Sequence, residues 1–501
     1  KAIQLERDRL KEISVTEEER FRILKNIRET YKVAQRRDEM LKATADVLNF
    51  AKRSFKKNKK NPPSSRRLLE AHVIYTRAVW TENRRDLALK SLNEARRDLQ
   101  GKVSLEEIHF LFARMAEEIQ NLTEAEAYLE KALSEPPSVP GLREKMTWSR
   151  AWLLHKMDRK DDALKAFTEI SETSKDNGEI ARSLFWKARS LPEEPERRRL
   201  LEDVRDRDPL GFYGLMAMRD LGAPLPPIQS KSDKTDLFLW QSSEIPLRQA
   251  LIAEWMIALD WHEGLVSVLD SIQAELKKNK RASTEAWLRL TTSYARGGEF
   301  LPLFALMGQV PPELRDRLIA EKPELLFPRP WPEEAGRAAK AARVPPELIY
   351  AIMRQESAFN PRARSHAEAY GLMQLLPNVA SRLASKYKSP YKGPESLYEP
   401  AVIIPLGAFE LRTLFDRWNE VWVPSIASYN ASEQAVRGWM KMRRREDPIE
   451  FIEEIPYEET RGYIKLVMRN QVFYQRLLAS EPTPFPENCL NIFQKTPRPA
   501  N

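Results

Sequence analysis

From residue 1 to about residue 320 the chain reads as helix after helix. Helix-forming residues dominate, strand-like alternation is absent, and the runs break at Pro or Gly clusters such as Asn61-Pro62-Pro63 and Pro136-Pro137. A chain of this kind buries its apolar stripes helix against helix, so the expected class is all-α. The run Glu124-Ala125-Glu126-Ala127-Tyr128-Leu129 has a counterpart in Asp161-Asp162-Ala163-Leu164-Lys165-Ala166-Phe167. Ala127 and Ala163 lie 36 residues apart (163 − 127), near the roughly 34-residue period of tetratricopeptide-type hairpins. Small side chains there would let paired helices approach closely. The repeat is degenerate, and the expectation is an α-superhelix of such hairpins rather than a counted array.

With 501 residues the chain exceeds one ordinary core. The expected division is a helical part over 1–325, with a break near 225–240, a second domain over 326–481, and an extended, surface-lying tail over 482–501. Phe327-Pro328-Arg329-Pro330-Trp331-Pro332 marks the boundary, because it breaks any helix. Trp240, Trp255, Trp261 and Trp287 are expected to pack between helices rather than to serve as sugar platforms.

Composition excludes several classes. No window of about 18 uninterrupted apolar residues occurs, so no membrane span is expected. The single cysteine, Cys489, forms no disulfide framework, and the five histidines (His72, His109, His155, His262, His366) are scattered, so no metal and no cofactor are expected. The net charge of +9 favours acidic partners, but no nucleic-acid motif accompanies it. The densest basic run, Lys52 to Lys60 with Arg66 and Arg67, reads as a solvated helix end and loop. The chain starts at Lys1 without a signal-peptide pattern, which suggests a mature or trimmed form.

The stretch Leu348 to Pro377 carries the chemistry. Pro345-Pro346 can open a helix, since Pro is tolerated in a first turn. On that helix Glu356 shares a face with Ile349, Ile352 and Met353. Desolvation there would raise the carboxyl pKa and keep its proton available for general acid work near neutral pH. Spacing alone favours a helix-end Glu, half exposed or paired with Arg354.

The motifs Glu356-Ser357, Asn360-Pro361, Ser365 and Gly371-Leu372-Met373-Gln374 occur in order and at spacings that resemble the catalytic domain of the soluble lytic transglycosylases. The lead-in Phe327 to Pro332 and the segment Asp208-Pro209-Leu210-Gly211-Phe212-Tyr213-Gly214-Leu215 resemble parts of the same family. The resemblance implies a lysozyme-like, mainly α catalytic domain and the cleavage of peptidoglycan. In that reading Glu356 is general acid and then base, with a 1,6-anhydro-muramoyl product formed without water. Ser428-Tyr429-Asn430-Ala431-Ser432 and Ile455 to Tyr463 are similar to two further family motifs. They imply that Tyr429 orients Glu356, that Asn430 holds a loop or a sugar amide, and that Glu459 occupies an acidic cleft position. Glu459 is equally well explained as a first-turn charge favoured by the helix dipole. Ser365 and Gln374 are implied as contacts to sugar amide and hydroxyl groups, and Met373 as a cleft-lining residue.

The partners implied are peptidoglycan glycan strands in the periplasm, with an export signal outside this chain. The resemblance leaves open an outer-membrane association and partner proteins of cell-wall synthesis or secretion. Two departures stand out. Glu368-Ala369 replaces a small Gly-Ala pair, which would alter a turn or add an acidic group near the cleft. Ser432 replaces a Gly, which would strain the loop if that position has positive φ. A hydrolytic muramidase and a glycan-binding helical-repeat scaffold remain as alternatives.

Overall fold

A computed structural model describes every residue except 1, 13, 35, 193, 224, 226–227, 229–236, 280, 311, 444 and 493–501. Among the described residues all regular elements are helical, and β pairing is limited to isolated bridges. The fold is all-α. No helix among them is long and apolar enough to cross a membrane. The chain divides into two compact units, Lys1–Asp208 and Pro209–Asn501. The break expected near 225–240 falls largely outside the described residues.

In the first unit each helix from Ala2–Arg9 to Glu194–Arg207 packs on the next, as hairpins with short turns require. The repeat is present, but its register differs from the expected one. Ala127 is exposed, whereas Ala125, Leu129 and Ala132 are buried, as are Ala163, Phe167 and Ile170. Each pair is 38 residues apart (163 − 125, 167 − 129, 170 − 132). Ala127 lies two positions from Ala125, about 200° around a helix, and so faces water. Gln120 and Asp158, also 38 apart (158 − 120), both take positive φ (61° and 56°) in the preceding turns. The basic run is less solvated than its charge suggests. Arg67 is 6% exposed and pairs with Glu17 and Glu18, and Lys52 pairs with Glu94.

The second unit positions the site. The Pro346–Ser357 helix lies against the long Glu458–Leu478 helix, and the Pro400–Arg417 helix lies against Pro332–Ala342. The Trp422–Asn430 helix contacts both Pro400–Arg417 and Glu458–Leu478. Pro345 and Pro346 do open the Glu356 helix. In the lead-in, Trp331 takes φ 51° and Pro332 starts the next helix. Phe327 stacks on Phe473 at 4.8 Å, and the Tyr474 hydroxyl donates to the Pro328 carbonyl at 3.0 Å.

Two expectations are corrected here. Trp240, Trp255 and Trp261 are 47%, 70% and 56% exposed, and only Trp287 is buried with the packing role expected of all four. Leu247 and Leu251 on the Leu247–Ala258 helix, and Leu259 just after it, also face outward. The tail is not wholly surface-lying. Thr483 pairs with Leu225 through backbone hydrogen bonds of 2.8 and 3.0 Å, and Cys489, Leu490 and Ile492 are buried because they are apolar enough to be drawn inward.

Candidate active site

Glu356 sits one residue before the end of its helix, and the helix ends in an unusual way. Ala358 and Phe359 both take left-handed backbone angles (φ 48° and 62°) where glycine is the usual choice. Each such residue costs about 1–2 kcal/mol. Packing offsets part of this, since Phe359 is 1% exposed with its ring edge-on to Phe300. The turn directs the chain away just past the carboxylate.

Ser357 then ties this end to the downstream run. Its Oγ donates to the Leu372 carbonyl at 2.9 Å and the Met353 carbonyl at 3.1 Å. Gly371 returns close to Asn360-Pro361, donating from N to the Ala363 carbonyl at 2.8 Å. Gly371 has φ 69°, and a Cβ there would lie 2.1 Å from the Leu397 carbonyl oxygen, so the position excludes any side chain.

These elements and the Phe300–Met307 helix line an open cavity of about 520 Å³. Its walls include Leu301, Phe304, Glu356, Asn360, Gln374 and Leu466, together with three arginines, Arg354, Arg364 and Arg469. Among the described residues Glu356 is the one carboxylate in that lining. Burial is the largest influence on it. Glu356 is pushed up to about 7, against a lowering by the Tyr463 hydroxyl and with a further raising by the charge of Glu459. The Tyr463 hydroxyl donates to Glu356 Oε1 at 2.7 Å. Arg354 does not pair with Glu356: it donates to the Leu326 carbonyl and lies over the rings of Phe304 and Phe327.

The remaining expected site residues differ in where they lie. Gln374 reaches the cavity, held by hydrogen bonds from Nε2 to the carbonyls of Gly371 (2.9 Å) and Ala363 (3.2 Å). Met373 does not face it. Met373 is 0% exposed, and its side chain fills the space over Gly407, where a Cβ would meet the sulfur at 2.2 Å. Ser365 closes a turn, accepting from the N–H groups of Ala367 and Ala369 at 3.2 and 3.1 Å.

Tyr429 is half-buried and donates to the Met373 carbonyl at 2.9 Å rather than to Glu356. The tyrosine on the carboxylate is Tyr463, which the sequence marks only as the last residue of the Ile455 to Tyr463 motif, with no role assigned. Asn430 Oδ1 accepts from the Thr460 hydroxyl at 2.6 Å, joining two helices. Glu459 is exposed in the first turn of the Glu458–Leu478 helix. Leu301 and Phe304, from a helix with no motif, were not legible as wall residues.

The two departures also resolve. Glu368 is exposed, accepts from Arg364 at 2.5 Å and from the Tyr370 hydroxyl at 2.9 Å, and is held below the usual carboxylate range chiefly by Arg364. Ser432 has φ −70° and caps the Glu433–Met442 helix by accepting from the Ala435 N–H at 3.2 Å. It is not strained.

Residues 333–452 match the family described as Transglycosylase SLT domain, and residues 454–482 match that described as Soluble lytic transglycosylase helical domain. The chain carries a transglycosylase SLT domain. The chain is 29% identical over 305 residues to the soluble lytic murein transglycosylase of Escherichia coli, covering 60% of this chain and 44% of that one. A putative soluble lytic murein transglycosylase of Haemophilus influenzae is 36% identical over 169 residues, 33% of this chain and 28% of that one. The chain thus spans less than half the length of these relatives. Among solved structures, the 70 kDa soluble lytic transglycosylase of E. coli aligns with a TM-score of 0.62 at 19% identity, covering 94% of this chain and 71% of that one. An inactive Glu-to-Gln mutant of lytic transglycosylase Slt from Pseudomonas aeruginosa aligns with a TM-score of 0.60 at 21% identity, covering 94% and 73%. These structures share the fold. The SLT domain match spans the Glu356 helix, the Gly371–Gln374 run and the Tyr429 helix, whereas Tyr463 lies in the helical-domain match.

Proposed function

We propose that this chain is a peptidoglycan lytic transglycosylase whose acid and base is Glu356. The observation that carries the proposal is a carboxyl group pushed up to about 7, standing as the one carboxylate in its cavity among the described residues. A two-carboxylate glycosidase needs a partner at about 5–5.5 Å as nucleophile or about 6.5–9.5 Å as base. A single protonated carboxyl suits a reaction in which the substrate supplies its own nucleophile.

Protonated Glu356 gives its proton to the oxygen linking N-acetylmuramic acid to N-acetylglucosamine, and the C1–O bond breaks. The 2-acetamido oxygen stabilises the cationic C1. The Glu356 carboxylate then takes the proton of the muramoyl C6 hydroxyl, and that oxygen bonds to C1. Glu356 ends protonated, the departing sugar has gained a hydroxyl, and no water is consumed. Tyr463 holds the carboxyl in place through both states. The Gln374 amide is a polar group that such a substrate meets in the cavity.

The relatives' names and the inactive Glu-to-Gln mutant of the Pseudomonas protein support the reading. As part of the same reading, the protein acts on glycan strands in the periplasm. Digestion of purified peptidoglycan by wild type and Glu356→Gln, followed by mass spectrometry, tests it. Anhydro-muramoyl ends from wild type and none from the variant are expected. Reducing muramic acid ends alone would favour a muramidase, and no turnover by either would favour a glycan-binding scaffold.

A further inference from the structure

The helix that brings Tyr463 to Glu356 is gripped from its other side. Lys465 follows Tyr463 by two positions on the Glu458–Leu478 helix, about 200° around its axis, so the two side chains leave it in opposite directions. Tyr463 reaches Glu356. Lys465 Nζ donates instead to Glu453 Oε1 at 2.7 Å and to the Tyr213 hydroxyl at 2.6 Å, and that hydroxyl donates to the same Glu453 oxygen. The three groups come from three helices, Phe212–Asp220, Pro448–Glu454 and Glu458–Leu478. None of them lies within the SLT domain match.

The cluster is withdrawn from water. The Glu453 side chain is 0% exposed, that of Lys465 12%, and Tyr213 is buried. The Lys465 ammonium also stands 4.9 Å from the centre of the Tyr213 ring and 5.7 Å from that of Phe212. A buried ion pair adds little net stability, because desolvation offsets much of its attraction. What a closed set of charge-assisted bonds supplies is direction, since each member fixes the angle of the others.

That direction bears on Glu356. The titratable and charged groups around it are Tyr463 and Glu459 from this helix, Tyr429 from Trp422–Asn430, and Arg354, Arg364 and Arg469 in the cavity lining. Burial apart, Tyr463 and Glu459 are the two that shift it, and both ride on the first two turns of the gripped helix. A rotation that lengthened the 2.7 Å Tyr463 bond by about 1 Å would take it out of hydrogen-bond range.

We infer that Tyr213 and Lys465 are positioning residues for cleavage: by gripping Glu453 they fix the rotation of the Glu458–Leu478 helix and hold the Tyr463 hydroxyl on Glu356. The inference rests on reading Glu356 as the acid and base. It gives Tyr213, in a segment outside the SLT domain match, a part in the chemistry.

Tyr213→Phe removes the hydroxyl alone and keeps the ring beside the ammonium, so it loosens the grip without emptying the core. Kinetics on solubilised glycan strands with wild type, Tyr213→Phe, Tyr463→Phe and the double variant test the inference. Tyr213→Phe should lower kcat about three- to fivefold, leave KM within about twofold, and move the alkaline limb of kcat/KM upward. In the Tyr463→Phe background it should change none of these, because the bond it acts through is gone. Lys465→Arg keeps the charge on Glu453 but replaces a compact ammonium with a broader fork, and it should behave as Tyr213→Phe does. Difference infrared titration of the Glu356 carboxyl, with Glu356→Gln as the blank, reads the same grip without substrate, and the titration should move upward in Tyr213→Phe. Unchanged kcat and limb in both single variants, losses that multiply in the double variant, or an unmoved carboxyl would overturn the inference. An upward shift of the carboxyl in a protein whose Glu356→Gln variant still cleaves peptidoglycan would instead overturn the cleavage reading and leave the grip standing.

Discussion

The hydroxyl of Tyr463 donates to Oε1 of Glu356 at 2.7 Å across the contact between the Glu458–Leu478 and Pro346–Ser357 helices. Tyr463 is buried and Glu356 half-buried, and burial with the adjacent carboxylate holds the Tyr463 phenol well above its ordinary range, so it remains a donor near neutral pH. The bond favours the ionised carboxylate, whereas burial and Glu459 favour the protonated one, and burial is the largest influence. The balance leaves a proton on Glu356 that can be given and retaken near neutrality.

Tyr463→Phe and Glu459→Gln therefore shift the same limb in opposite directions. An acid that must be protonated loses activity as pH rises through its pKa, here about 7. Removing the Tyr463 donor raises that pKa further and moves the alkaline limb of kcat/KM upward, with a rate loss of about tenfold from the lost orientation. Removing the Glu459 charge lowers the pKa and moves the limb downward. Limbs that shift together, or not at all, would show that neither group acts on Glu356.

The elevated carboxyl also costs stability, in a definite window. Relative to the ordinary value of 4.5, folding disfavours the ionised form up to about 7. The wild type is unpenalised below about pH 4.5, loses stability progressively to pH 7, and is level above that. Glu356→Gln, which keeps an acceptor for Tyr463, should gain up to about 3 kcal/mol over wild type across that window. Urea unfolding of both chains at pH 4.5 and pH 8 measures it, and an equal difference at the two values would contradict the burial of the carboxyl.

Gly371→Ala should be among the more damaging single changes in the second unit. The added Cβ meets the Leu397 carbonyl oxygen at 2.1 Å, and backbone at φ 69° cannot turn aside. A loss of about 3 kcal/mol or more is expected in denaturant unfolding, with a fall in activity because the same run carries Gln374.

Ser432 separates two readings of one position. As a helix cap it should cost about 1 kcal/mol when changed to Ala, and Ser432→Gly should give no stabilisation. A gain on Ser432→Gly would indicate strain, against the observed φ of −70°.

Much of this was legible before the structure. The helical class followed from breaks at Pro clusters, and Glu356 followed from apolar spacing joined to a composite motif. What escaped were facts of register and direction. Ala127 and Ala125 are both small helix-compatible residues, and only packing tells which faces inward. Tyr429 and Tyr463 are both tyrosines near one carboxylate, and the local chain aims one at the Met373 carbonyl and the other at Glu356. Met373 belongs to the motif because it fills the space over Gly407, a structural need that a motif cannot distinguish from a cleft contact. Leu301 and Phe304 come from a distant helix, where no local signal exists.

The central claim is one carboxyl, no protein nucleophile and no water. Digestion of peptidoglycan in water enriched in oxygen-18, with mass spectrometry of the new muramoyl ends, tests it most directly. The account predicts anhydro ends without the heavy isotope. Reducing ends carrying oxygen-18 would contradict it.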